Sequence, residues 1–220
     1  MIVNILRSSI PALVLLMLVN SCTEQKITSK PKGSAPTWST HEAGQLSTTS
    51  SGFNKWIGSP IDRATAVRWM GNFVKANPRA SVTEYFISSA VFKQILSNAT
   101  CVGVSLHYSL DSSGQLHIIP VGIGSNGKMM ANTSVTIDGK MMDWSTQQAW
   151  INNYTGKVRS HFFGALTFER LLVEQRAQAV RINLALDDSG APQMLLSDNS
   201  VVNPDAIEDV SSPCPPVCAS

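Results

Sequence analysis

Three groups of residues have types and spacings that could do chemistry. The first is the stretch "VGIGSNGKMM" (121–130). Gly122, Gly124 and Gly127 fit the dinucleotide pattern G-x-G-x-x-G. Gly122, Gly127 and Lys128 fit a phosphate loop, except that Met129 stands where Ser or Thr would bind magnesium. The second group is Cys101, Cys214 and Cys218, which would suit a thiol nucleophile, a metal site or disulfides. The third is His107, His117 and His161, whose rings could act as bases or metal ligands.

Each group must be weighed against the elements that would carry it. A dinucleotide loop leaves a strand and enters a helix, because the pyrophosphate rests on that helix's N-terminus. After Gly127 the chain reads "KMMANTSVTIDGKMM", which is β-branched and turn-forming, so the glycines are expected in a hairpin and no nucleotide is expected. Cys101 opens an alternating stretch and reads first as a small buried hydrophobe. A bridge to the tail, a nucleophile and a metal ligand remain open for it. Cys214 and Cys218 enclose Pro-Pro-Val and suit a local disulfide, with reduced, cross-paired or zinc-bound forms as alternatives. Zinc would also need Cys101 and a histidine. The histidines read as surface residues, with no carboxylate spaced to orient His107 or His117. We therefore expect no catalytic constellation, no metal and no cofactor.

The N-terminus sets the compartment. Arg7 precedes an apolar run, Ile10 to Val19, and then Asn20-Ser21-Cys22. About ten apolar residues is half of the roughly twenty a membrane-spanning helix needs. The pattern is that of a secretory signal over 1–21. Val-Asn-Ser before Cys22 resembles the lipobox of bacterial lipoproteins. That resemblance implies cleavage before Cys22 and acylation of it, anchoring the chain to a lipid bilayer in the cell envelope, most naturally the outer membrane. Residues 22–57 are rich in Ser, Thr, Gly, Lys and Pro without periodicity, and read as a flexible tether. The net charge of +2, with no basic stripe, marks no nucleic-acid footprint.

The domain is expected over 58–203, followed by a Cys-Pro tail over 204–220. It repeats itself. "IDRATAVRWMGNF" (61–73) lies over "MDWSTQQAWINNY" (142–154), matching Asp62, Thr65, Trp69 and Asn72 to Asp143, Thr146, Trp150 and Asn153. Residues 83–120 lie over 159–196 without a gap, sharing Phe86/Phe162, Phe92/Phe168, Leu96/Leu172, Val104/Val180 and the turns "DSSG" and "DDSG". Each copy, about 58–130 and 142–202, reads helix, helix, strand, strand. Ser59-Pro60 and Ser145 with Gln148 are read as first-helix starts, and Ser88 and Gly164 as second-helix starts. Val102 to Leu110 and Val180 to Leu186 alternate with period two. The expected fold is α+β: a tandem duplication with a four-stranded, mainly antiparallel sheet and helices on one face.

The run "CVGVSLHYSLDSSGQLHIIPVGIGSNGK" (101–128) with "PCPPVC" (213–218) resembles a large uncharacterised group of Bacteroidota proteins. Those carry a Gly-Cys-Val-Gly strand segment, a Val-Gly-rich return strand and a terminal Cys-Pro-Pro-x-Cys. Here Thr100 replaces the group's first Gly. The resemblance implies a bacterial origin and no particular activity. Two functional readings follow from the residues. One is a non-enzymatic envelope lipoprotein whose sheet face (Ser105, His107, Arg181, Asn183) binds a protein or glycan. The alternative is a thiol-dependent enzyme, or a redox or metal protein, using Cys101 with Cys214 and Cys218.

Overall fold

The computed structural model describes residues 52–131, 135–137, 140–198, 207–209, 211–214 and 218–219. The lipidation signal at Cys22 and most of the expected tether lie outside them. The chain is α+β. Its elements are β1 (Ser59–Ile61), α1 (Arg63–Ala76), β2 (Glu84–Ser88), α2 (Ser89–Leu96), β3 (Cys101–Leu110), β4 (Leu116–Gly124), β5 (Val135–Ile137) and β6 (Lys140–Met142). There follow α3 (Trp144–Asn153), β7 (Ser160–Gly164), α4 (Ala165–Glu169), β8 (Ala179–Leu186), β9 (Pro192–Asp198), β10 (Ile207–Asp209) and β11 (Ser212–Cys214). A π-helical turn, Arg170–Glu174, extends α4.

The strands form a five-stranded sheet, β1-β10-β9-β8-β2, a four-stranded sheet, β11-β7-β3-β4, and the β5-β6 hairpin. All the ladders are antiparallel. A four-stranded antiparallel sheet is thus present, but the two long hairpins do not share it: β3-β4 and β8-β9 lie in separate sheets. The cause is a reciprocal exchange. β2, from the first half, pairs with β8 of the second (Glu84↔Asn183 to Ser88↔Ala179). β7, from the second half, pairs with β3 of the first (Ser160↔His107 to Gly164↔Gly103). Glu84 and Ser160 stand 76 positions apart, and so do His107 and Asn183, so one ladder is the image of the other.

The same correspondence runs through the local structure. Asp62 and Asp143 are the N-caps of α1 and α3, each accepting from the N–H of Thr65 or Thr146 at 2.9 and 2.7 Å. These caps displace the starts read at Ser59-Pro60, which is strand, and at Ser145. A carboxylate whose oxygen reaches the third amide satisfies an orphan donor of the first turn. At the ends of those helices Asn72 donates to Leu186 O and Asn153 to Leu110 O, each reaching into the opposite half. Both turns are built alike: Asp111 Oδ1 accepts from Ser113 and Gln115, Asp187 Oδ1 from Ser189 and Ala191. Gly114 and Gly190 each adopt φ +82°, which glycine allows without steric cost.

Burial follows the exchange. Val104, Leu106, Tyr108 and Ile118 of one sheet meet Val180, Ile182, Leu184, Met194 and Leu196 of the other, with Phe92 from α2 and Phe168 from α4 among them. The outer face of the four-stranded sheet, through Ile119, Val121, Ile123 and Phe162, packs under Trp144, Trp150 and Ile151 of α3 and under Phe53. The outer face of the five-stranded sheet, through Ala185 and Leu195, packs under Ala66, Trp69 and Met70 of α1. Helices therefore cover both outer faces as well as entering between the sheets.

Two expected boundaries shift. Phe53 is buried, and the carbonyls of Lys55 and Ile57 accept from Leu166 N and Gly164 N, so the end of the expected tether belongs to the domain. β10 and β11 likewise draw the tail into both sheets. Gly103 and Gly164 face each other where β3 meets β7. A Cβ on Gly103 would strike the Phe163 carbonyl, and one on Gly164 the Lys55 backbone, which is the physical content of the Cys-Val-Gly segment.

Candidate functional site

The glycine stretch forms the end of β4 and a tight turn. Gly124 N donates to Lys128 O, Gly127 N to Gly124 O, and Ile123 bridges Met129. The strand turns back on itself and enters no helix: the Gly124 and Gly127 amides are used within the turn, and that of Ser125 donates to Thr100 O.

The face assembled from Ser105, His107, Arg181 and Asn183 does not exist as one surface. Ser105 and His107 are buried on the four-stranded sheet, 2% and 6% exposed, beneath the layer formed by α3 and residues 53–57. Arg181 and Asn183 hold the equivalent places on the five-stranded sheet, where Arg181 pairs with Glu84 at 2.9 Å and lies over the Phe86 ring. Period-two alternation placed them on corresponding faces but could not tell that the two faces belong to separate sheets, each covered by a helix. The other histidines expected at the surface are buried too: His117 beneath the same layer as His107, and His161 on the inner face between the sheets, opposite Leu106 and against Tyr108. His107 and His161 are held down at a pKa of about 4 by burial, aided at His107 by the nearby positive charge of Arg159. His117 does have an orienting carboxylate: its Nε2 lies 3.2 Å from Asp111 Oδ2 across the turn, and its ring packs on Trp150. Gln193 repeats that contact to Asp187 Oδ2 at 3.0 Å, so the arrangement supports a turn.

The cysteines separate. Cys214 and Cys218 are joined by a disulfide, and Cys101 is free at the start of β3. Burial pushes the Cys101 thiol up from its ordinary value, opposite to the direction that activates a nucleophile. Among the described residues no group of three or more His, Cys, Asp or Glu is arranged to hold a metal ion.

A cleft of about 470 Å³ opens elsewhere, between the two turns. All three tyrosines of the chain line it: Tyr85 from β2, Tyr108 from β3 and Tyr154 at the C-cap of α3. Phe73, Leu116, Leu184, Leu186 and Pro192 complete the apolar wall, and Asn77, Ser81 and Gln115 lie among the lining residues as polar groups. The cleft is lined from both halves of the chain. Tyr108 corresponds to Leu184, Leu116 to Pro192, and Phe73 to Tyr154. The Tyr108 and Tyr154 rings stack at 5.2 Å, and Tyr85 Oη donates to Leu116 O at 2.9 Å. Burial, with the neighbouring phenols Tyr154 and Tyr85, raises the Tyr108 hydroxyl well above its ordinary range, and burial raises that of Tyr154. Both therefore stay protonated at neutral pH. A volume in the range of small-ligand sites, aromatic walls and a few polar groups suit a small ligand with an apolar ring face.

The sequence held one signal for this site: Tyr154 aligns with Phe73, and aromatic side chains at both helix ends would meet if the halves were related by a two-fold. Comparison with protein-family models, curated proteins and solved structures gives no match for the chain. Among the described residues no helix is long and apolar enough to cross a membrane.

Proposed function

We propose that this chain is an envelope lipoprotein, anchored through acylated Cys22, whose repeated α+β domain is a non-enzymatic binding module for a glycan. The tyrosine-lined cleft carries the reading. Sugar rings present apolar C–H faces that stack on aromatic side chains, and their hydroxyls exchange hydrogen bonds with phenols and amides. Tyr85, Tyr108 and Tyr154 with Asn77, Ser81 and Gln115 supply both kinds of group. The exact correspondence of the two exchanged ladders supports the tandem repeat as the origin of the cleft, since the site lies where the halves meet. The thiol-based alternative loses support from the raised Cys101 thiol and from the bond between Cys214 and Cys218.

The test is calorimetric titration of the full chain with a panel of envelope oligosaccharides, repeated with Tyr154→Ala. At least one sugar should bind, and the substitution should weaken it about tenfold, the equivalent of about 1.4 kcal/mol. Binding that is indifferent to Tyr154→Ala and Tyr85→Phe removes the cleft from consideration, and no binding across the panel removes the glycan reading.

A further inference from the structure

Edge strands of the two main sheets are treated unequally. β1 carries Pro60, β11 carries Pro213 and β4 carries Pro120. Each proline removes a backbone donor and discourages pairing with another chain. β2, "EYFIS", has no proline and no lysine, and its register against β8 runs without a bulge. Among the described residues no strand pairs with its outer edge.

The equivalent edge in the other half is covered. Ser160 and Phe162 of β7 face Cys214 and Ser212 of β11, and Gly164 N donates to Ile57 O at 2.7 Å. The architecture therefore accepts an antiparallel strand at this position, and β2 is the copy of it left open.

The outward-pointing groups of β2 can be identified. Ser89 N donates to Gln178 O and Leu184 N to Thr83 O, so the odd-numbered residues form the hydrogen-bonded pairs with β8. The N–H and C=O of Glu84 and Phe86 and the N–H of Ser88 then point away from the sheet, while the Ser88 carbonyl, at the N-cap of α2, accepts the first bond of that helix. The strand is thereby self-complementary. A second β2 laid antiparallel, with a two-fold axis beside Phe86, places Phe86 opposite Phe86 as a hydrogen-bonded pair and Glu84 opposite Ser88, where each Ser88 N–H donates to the Glu84 carbonyl of the other copy.

We propose that the β2 edge is the interface of a two-fold homodimer, formed by β2 pairing with β2 of a second copy to join two five-stranded sheets. Phe86, 49% exposed, lies at its centre and meets its own equivalent. The guanidinium of Arg181, 5.2 Å over the Phe86 ring, flanks that aromatic pair on each side. The backbones of the two arginines lie three strand spacings apart, about 14 Å, and each guanidinium is paired with Glu84 of its own copy. Glu84 faces Ser88, so no like charges oppose each other across the join. Isologous contacts of this kind close on themselves and stop at two copies.

The experiment uses the full chain in mild detergent. Sedimentation velocity over a concentration series should show a monomer–dimer equilibrium. Phe86→Lys should raise the dissociation constant about tenfold or more while the thermal melt of the monomer is unchanged. In a Cys101→Ala background, Phe86→Cys should cross-link to dimer on mild oxidation. Glu84→Cys alone should not, whereas Glu84→Cys mixed with Ser88→Cys should. A wild-type monomer at all concentrations, a dimer that survives Phe86→Lys, or cross-linking of Glu84→Cys with itself overturns the proposal.

Discussion

Phe92 and Phe168 stack on each other at 4.9 Å with an interplanar angle of 22°, and they hold the same place in the two halves of the chain. Each is fully buried. Their contact brings α2 and α4 together in the core between the two sheets.

Truncation of either ring should therefore be costly, and the two truncations should be coupled. Phe92→Ala and Phe168→Ala are each expected to cost about 3–5 kcal/mol. The double variant should cost less than the sum, because the second truncation removes a ring whose stacking partner is already gone. Urea denaturation of the four proteins closes the cycle. Strict additivity would mean that the stacking adds nothing beyond the burial of each ring.

The sequence made much of this frame legible. The turns at 111–114 and 187–190, the long alternating strands, the starts of α2 and α4 and the gapless correspondence of 83–120 with 159–196 all follow from local pattern. What it hid is β2 and β7. Each is five residues long and runs directly into a helix, too short a stretch beside a cap for period-two alternation to declare it a strand. The exchange depends on those two strands, and so does the burial of Ser105 and His107. Their alternation with apolar neighbours signals a wet face in a two-layer fold. In four layers the same residues end up beneath α3. The cleft was hidden likewise, because its three tyrosines lie far apart in sequence and meet only after the exchange.

Glu208 of β10 is 1% exposed and is held by Arg170, whose Nε and Nη2 donate to Oε1 and Oε2 at 2.9 and 2.6 Å. The guanidinium is the more exposed partner, at 27%, and also donates to Gly58 O and Thr167 Oγ1. The desolvation cost thus falls on the carboxylate. Arg170→Met should strand a buried charge and destabilise by about 3–5 kcal/mol. Glu208→Gln keeps a neutral acceptor beside a cation that reaches water, and should cost clearly less. Chemical denaturation at pH 7 distinguishes them, and equal losses would contradict the burial asymmetry.

Reduction of the Cys214–Cys218 bond should have a small effect, because a bridge across a sequence separation of 4 restricts the unfolded chain little. The loop-closure estimate is about 2 kcal/mol, and it should be lost in Cys214→Ser with Cys218→Ser. Cys101 should resist alkylation in the native protein and react after denaturation, since burial disfavours its thiolate. Thiol labelling followed by mass spectrometry reads both, and rapid native labelling of Cys101 would restore the thiol-based reading of the site.

His107 and His161 give the fold an acid dependence that starts well above the carboxylate range. Burial holds both near 4, against an ordinary 6.5. As pH falls below 6.5 the unfolded chain takes up protons that the folded chain refuses, so stability declines. It is complete above about 6.5 and falls by up to about 1.4 kcal/mol per pH unit for each histidine until pH nears 4. Below that the folded histidines also protonate and add no further loss. The lowered carboxyls of Asp62 and Asp143 act only at still lower pH, so the two windows separate. His107→Asn places in β3 the residue that β8 carries at the equivalent position, Asn183, and should roughly halve the decline between pH 6.5 and 4. Urea midpoints at pH 7, 5.5 and 4.5 for both proteins measure it. An unchanged slope would mean that His107 is protonated as easily in the folded chain as in the unfolded one.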